Sequence, residues 1–233
     1  MGIDYSKRPE PAAAPAPPAP PPAAAAAPPP TSKVTLTKAA PTVSLTKHGS
    51  AGGLMRVNLN WDAKAPGSGG GLFRKVKPLD LDLGCLYEFT DGTKGVVQAL
   101  GNSFTAKPRG VSDRVIWLDG DDRSGSNTAG ENLFVDLAHA GQIKRILVFA
   151  LIYEGAANWA AANGVVTLFP ASGPQVEVRL DDPRDGARIC GVALLESTGG
   201  ELSVRREVNY INGGQRLLDE AYGWGMNWTP GRK

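Results

Sequence analysis

The stretch LDLGCLYEFTDGTKGVVQAL, residues 81–100, sets two apolar segments on either side of Asp91-Gly92. Asp-Gly between two strand-like runs is a strong signal for a tight hairpin of the type I′ kind, so the two segments read as antiparallel partners. The same pattern extends outward. "KVTLTK" (33–38) and "TVSLTK" (42–47) repeat one alternating phrase around Pro41, and "LMRVNLNW" (54–61) alternates again. Period two sends one set of side chains inward and the other to water. Further strands are expected at 115–118, 132–137, 146–153, 164–169, 175–180, 188–196 and 202–211, and only 154–163 and 214–222 carry a helical pattern. Short strands at regular spacing with turn residues between them predict an all-β fold, a two-sheet β-sandwich with one or two short helices.

The N-terminal region differs in kind. From Pro9 to Pro30 almost every residue is Pro or Ala, with no aromatic or large aliphatic side chain to bury. Such a segment gains nothing that offsets its ordering entropy, so it is expected to be a disordered, extended spacer. This divides the chain into a disordered N-terminal segment with a Pro/Ala-rich linker, 1–33, and a folded domain, 34–233. The 25 Lys and Arg against 23 Asp and Glu leave a formal charge of +2 without a basic cluster, which argues against a nucleic-acid partner. Two cysteines, Cys85 and Cys190, are too few for a disulfide framework, and the longest strongly apolar run, Ile146 to Tyr153, is too short to span a bilayer. A soluble cytoplasmic protein without direct membrane insertion is expected.

Chemistry concentrates between residues 119 and 132. Asp119, Asp121 and Asp122 are followed by Ser124, Ser126, Asn127 and Thr128, then by Glu131 and Asn132, with Gly120, Gly125 and Gly130 interspersed. Hard cations such as Ca²⁺ take six to eight oxygen ligands, and glycines let a backbone turn until its oxygens converge. Upstream, Asp80 and Asp82 stand two apart on a strand, side by side on one face, where their charges repel unless a cation sits between them. The same composition also suits a solvated turn, and the loop lacks the ligand spacing and helical flanks of an EF-hand.

The phrases "VSLTK", "VNLNWDA", "LDLDLG", "DDRSG", "ENLFVDL" and "ILVFALIYEGAANW" occur in an order that resembles the TerD-like family of bacterial tellurium-resistance and stress-response proteins, and is most similar to its TerA-like members. The likeness runs from Val34 to about Tyr210. It implies a calcium-binding β-sandwich with no enzymatic activity. The implied metal ligands are Asp80, Asp82, Asp121, Asp122, Ser124, Glu131 and Asn132, with Asp119 as an added neighbour. The implied partners are other tellurium-resistance or stress-response proteins, assembled in a membrane-associated complex. The family loop typically reads Asp-Asn-Arg-Thr-Gly-Glu-Gly followed by several acids. This chain has Ser126 at the Glu, and Asn127, Thr128, Ala129 and Gly130 before Glu131. Affinity falls as ligand charge is removed, so fewer or weaker calcium sites are expected.

Other chemistry has little support. His48 and His139 stand alone, without a Cys or His at metal-ligand spacing, and the serines of "SGSNTAG" have no candidate base. Cys85 is expected to be an inert, buried thiol. The C-terminal "AYGWGMNWTPGRK" alternates Tyr222, Trp224, Met226 and Trp228 with small or polar residues, which suits an edge strand or an exposed aromatic strip for a protein partner. An alternative function follows: a metal-poor scaffold acting through the Pro/Ala tether and the aromatic C-terminus.

Overall fold

The computed structural model describes residues 33–40, 42–45, 52–61, 79–120, 130–198 and 201–229, all within one compact unit, Thr31–Lys233. The Pro/Ala segment, His48, Asp121, Asp122 and Ser124 lie outside the described residues.

Thirteen strands appear among the described residues: β1 (Lys33–Thr35), β2 (Thr42–Ser44), β3 (Leu54–Asn60), β4 (Asp80–Phe89), β5 (Lys94–Val97), β6 (Thr105–Ala106), β7 (Ile116–Leu118), β8 (Glu131–Asp136), β9 (Ile143–Glu154), β10 (Gly164–Phe169), β11 (Gln175–Leu180), β12 (Ile189–Thr198) and β13 (Glu201–Ile211). They form a seven-stranded sheet, β1-β11-β10-β3-β8-β7-β6, and a six-stranded sheet, β2-β13-β12-β9-β4-β5. All pairings are antiparallel except β1 with β11. This is the two-sheet β-sandwich that the strand spacing predicts. Alternation builds its core: Met55, Val57 and Leu59 of β3, Leu81, Leu83 and Cys85 of β4, and Leu133 and Val135 of β8 are fully buried in one cluster between the sheets.

The hairpin at Asp91-Gly92 takes a different turn from the one expected. The amide of Gly92 donates to the carbonyl of Phe89 at 3.1 Å, and that of Thr93 to Asp91 Oδ1 at 2.7 Å. Gly92 has φ +82°, whereas Asp91 is not among the residues with positive φ. A type I′ turn needs positive φ at both central residues, so the connection is instead a three-residue loop with the glycine in the left-handed position. The helix expected at 154–163 shrinks to α1 (Trp159–Ala162). Gly155 at φ +87° turns the chain out of β9, Asn158 caps α1 by accepting from the Ala161 amide, and left-handed Asn163 ends it.

The second helix, α2 (Gln215–Tyr222), lies on the outer face of the six-stranded sheet. Leu218 and Trp224 join Leu86, Leu147, Phe149, Ile189 and Leu194 in a second apolar cluster there, with Met226 and Trp228 at its rim. The C-terminal residues are therefore neither an edge strand nor an exposed strip. They turn back at Gly223, which is left-handed at φ 62°, and Trp224 is 1% exposed. The buried carboxylate of Asp219 explains this return, because it accepts from the amides of Gly225 and Met226 and from Trp228 Nε1 at 2.6–2.9 Å. Arg145 of β9 completes the anchor. Its guanidinium donates to Glu88 and to the carbonyls of Tyr222 and Gly223, and lies 3.8 Å from the centre of the Trp224 ring.

Candidate metal centre

The site begins where β5 ends. β5 pairs with Cys85 to Glu88 of β4, so the Asp80–Gly84 edge of β4 continues beyond its neighbour. A strand edge carries backbone donors that need acceptors. Glu131, the first residue of β8, supplies one: its Oε2 accepts from the Leu83 amide at 2.6 Å, across from the other sheet. Glu131 is 4% exposed and Asp82 is 4% exposed, which makes them two of the few buried acids in the domain. Asp80 is half-buried, opposite Glu154 of β9, with a register irregularity between Asp80 and Leu81. Because Leu81 and Leu83 face the core, alternation puts Asp82 on the other face, and Glu131 reaches the same edge from between the sheets.

Residues 121–129 join β7 to β8 in sequence, and the described residues on either side of them are fixed. The Asp119 amide donates to the Asn132 carbonyl at 2.9 Å, extending the β7–β8 ladder by one step, while the Asp119 side chain is exposed. Gly130 has φ +70°, and a Cβ there would come within 2.1 Å of the Leu59 carbonyl oxygen, so the chain passes against β3 where only glycine fits. Asn132 alternates to the outer face of the seven-stranded sheet. Its Oδ1 accepts from Arg56 at 3.1 Å and from Asn58 at 3.0 Å, and the structure does not bring it to Glu131. Thus Asp80 and Asp82 lie on β4 and Glu131 bonds to the neighbouring Leu83 amide from between the sheets, Asp119 and Asn132 stand beyond them, and Asp121, Asp122 and Ser124 lie outside the described residues. Among the described residues no three acidic, histidine or cysteine side chains come close enough to hold a metal by themselves.

Sequence reasoning missed Asn58 and Arg56. Asn58 is 8% exposed and also donates to the Glu131 carbonyl at 3.3 Å, so it holds the backbone that carries the carboxylate. The alternation of "RVNLN" placed it on the polar face of β3, and the only signal available was an amide where water usually suffices.

Cys85 lies on the same strand, two residues beyond Leu83, and Cys190 lies on β12. Burial pushes the Cys85 thiol far above its usual range, against a lesser opposing hydrogen bond with the Val97 backbone, and burial raises Cys190 likewise. Both are free and buried, as expected for Cys85. No helix among the described residues is long and apolar enough to cross a membrane.

Two mostly antiparallel sheets packed over one apolar core define a β-sandwich, and comparison with known proteins says what it is similar to. Over 205 residues, 87% of its length, the chain is 41% identical to the tellurium resistance protein TerA of Alcaligenes sp, and it spans 59% of that relative. By sequence the chain is similar to the TerA tellurium-resistance protein over most of its own length, and its fold is that of a TerD homologue. Two solved structures share the fold. One is a homologue of the telluride resistance protein TerD from Streptomyces coelicolor A3(2), with TM-score 0.50 and 21% identity over 71% of this chain and 94% of that one. The other is a protein of unknown function, with TM-score 0.50 and 17% identity over 72% and 95%. No protein-family model matches the chain.

Proposed function

We propose that this chain is a non-enzymatic, cytoplasmic calcium-binding module of a bacterial tellurium-resistance and stress-response system, in which the cation orders the 121–129 loop and so shapes a surface for protein partners. The observation that carries this reading is a buried carboxylate, Glu131, bonded to the Leu83 amide next in sequence to the buried Asp82, at the described end of an acidic, glycine-rich stretch of sequence. The donor set is chemically suited to a hard cation, since every candidate ligand offers carboxylate, amide or hydroxyl oxygen. Asp80, Asp82 and Glu131 would hold the ion from the framework, and Asp121, Asp122 and Ser124 from the loop. Calcium would supply charge neutralisation. The residues supply the rest: Glu131 ties the two sheets through the Leu83 amide, Asn58 fixes the Glu131 backbone, and Gly130 presses the stem onto β3. The partners in this reading are other proteins of the same system, held in a membrane-associated complex.

The scaffold alternative is less favoured at Trp224, which is buried against the body with its carbonyl and indole both engaged, while Tyr222, Met226 and Trp228 stay partly exposed. Calorimetric titration of Ca²⁺, with Mg²⁺ as control, into chelator-stripped protein tests the calcium reading. Saturable, selective heat in the micromolar range is expected for a sensor-like site. At a hundredfold excess over Kd the ligand stabilises the fold by about 2.7 kcal/mol. Asp82→Ala and Asp121→Ala should each abolish that calcium-dependent rise in Tm. A rise retained in both variants refutes the ligand assignment, and no heat at millimolar calcium refutes the proposal.

A further inference from the structure

A shallow concavity, of about 460 Å³, lies on the outer face of the seven-stranded sheet where β3 and β10 run side by side. Asn58, Asn60, Trp61, Asn163, Val165 and Thr167 line it. The register pairs Asn58 with Thr167 and Asn60 with Val165, which puts these four side chains on one face in two successive rows. Trp61 leaves the end of β3 with its indole pinned, since Nε1 donates to the Leu79 carbonyl at 3.2 Å. Asn163 enters from the left-handed end of α1.

The lining is uncharged, and much of its hydrogen-bonding capacity is open. Among the described residues the amides of Asn60 and Asn163 and the hydroxyl of Thr167 have no hydrogen-bond partner, while Asn58 is already oriented by Glu131 and Asn132. The next column, on β11, is charged but internally paired: Glu177 accepts from Lys33 and lies 3.5 Å from Arg179. An ionic ligand would find no counter-charge in the lining, and a wholly apolar one would strand the open amides. A pyranose ring satisfies both conditions. Its C–H face packs on aromatic and aliphatic carbon, and its hydroxyls both donate and accept, as carboxamides do.

We propose that this concavity is a binding site for a neutral pyranose, free or terminal on a glycan. Among the described residues the lining holds no carboxylate, so the sugar and the proposed cation would share no carboxylate ligand. The test is saturation-transfer NMR and titration on the intact chain with glucose, galactose, mannose and N-acetylglucosamine, with glycerol and glucuronate as controls, each in Ca²⁺ and again in EDTA. At least one neutral sugar should bind with a Kd on the order of 1 mM. Glycerol and glucuronate should not. Asn60→Ala, at an exposed position, and Asn163→Gly, which keeps the left-handed backbone, should each weaken that binding about fivefold with Tm nearly unchanged. Failure of all four sugars to bind up to about 50 mM would overturn the proposal, a range far beyond useful affinity. So would equal binding of glycerol, affinity unchanged in both variants, or binding that vanishes in EDTA. Sugar binding that persists in EDTA supports the site whatever the calcium titration shows.

Discussion

Replacing Trp224 by alanine measures how far the C-terminal residues belong to the fold. The side chain is 1% exposed, its Nε1 donates to the Tyr87 carbonyl at 3.0 Å, and Arg145 covers its ring. A tryptophan buries about 200 Å². At about 25 cal/mol per Å² that is about 5 kcal/mol, an upper figure because unfolded chains already bury part of their surface. The hydrogen bond and the stacked guanidinium add about 1 kcal/mol each, and relaxation of a terminal segment subtracts. Trp224→Ala is therefore expected to cost about 4 kcal/mol, within the range known for buried Trp and Phe truncations. Trp224→Phe, which keeps the ring packing and loses the indole bond, should cost about 1–2 kcal/mol. Urea unfolding followed by far-UV circular dichroism reads both values. The loss cannot exceed the free energy with which α2 and the following residues dock. A cost below about 1 kcal/mol for alanine, or equal costs for the two variants, would show these residues to be a loose appendage and would refute the reasoning.

Three further outcomes follow from single sites. Cys85 and Cys190, both buried with raised thiol pKa values, should resist iodoacetamide at pH 8 in native protein and react fully in urea. Gly130→Ala should lower stability well beyond Gly92→Ala: both residues are left-handed, which costs about 1 kcal/mol, but only at Gly130 does a Cβ strike backbone. Comparable Tm losses would contradict the close approach to Leu59. Burial raises the pKa of Glu88, but hydrogen bonds from Lys144 and Arg145 outweigh it, so the net shift is downward. A depressed carboxylate stabilises above its unfolded pKa and loses that contribution as pH falls through the folded value. Glu88→Gln should thus cost about 1 kcal/mol at pH 7, and the gap to the parent should close as pH falls below the ordinary carboxylate range near 4.5.

Much of the fold was legible because strands with one solvent-facing side, such as β8 and β10, alternate over their own length, while β4, β9 and β12 read as short apolar runs between turn residues. β10 and β11 begin and end where Val166 and Leu168, and Val176, Val178 and Leu180, imply, since a period-two pattern needs no knowledge of the partner. What failed depended on distance along the chain or on side chains outside the pattern. β6 is two residues, Thr105–Ala106, held by pairing with Trp117 and Ile116, and nothing local marks it as a strand. The C-terminal alternation was real, but Asp219 bends the segment back by taking three of its donors, a tertiary effect that outweighs a strand-like spacing. At the candidate metal centre the acids are singled out by composition and by the family resemblance. Their arrangement is not legible that way, because Glu131 meets the Leu83 amide only after two sheets have closed.

The two N-terminal strands have a consequence for synthesis. β1 pairs in parallel with Gln175 to Glu177, and β2 pairs with Ser203 to Arg205, so each waits for a partner made roughly 140–160 residues later. At about 5–20 residues per second the ribosome leaves both strands without their neighbours for on the order of ten seconds or more. Each is only three residues long, and β1 begins with a lysine, so neither offers a long, flat template to a neighbouring nascent chain during that interval. The order of synthesis thus makes the last strands to emerge the ones that seat the first.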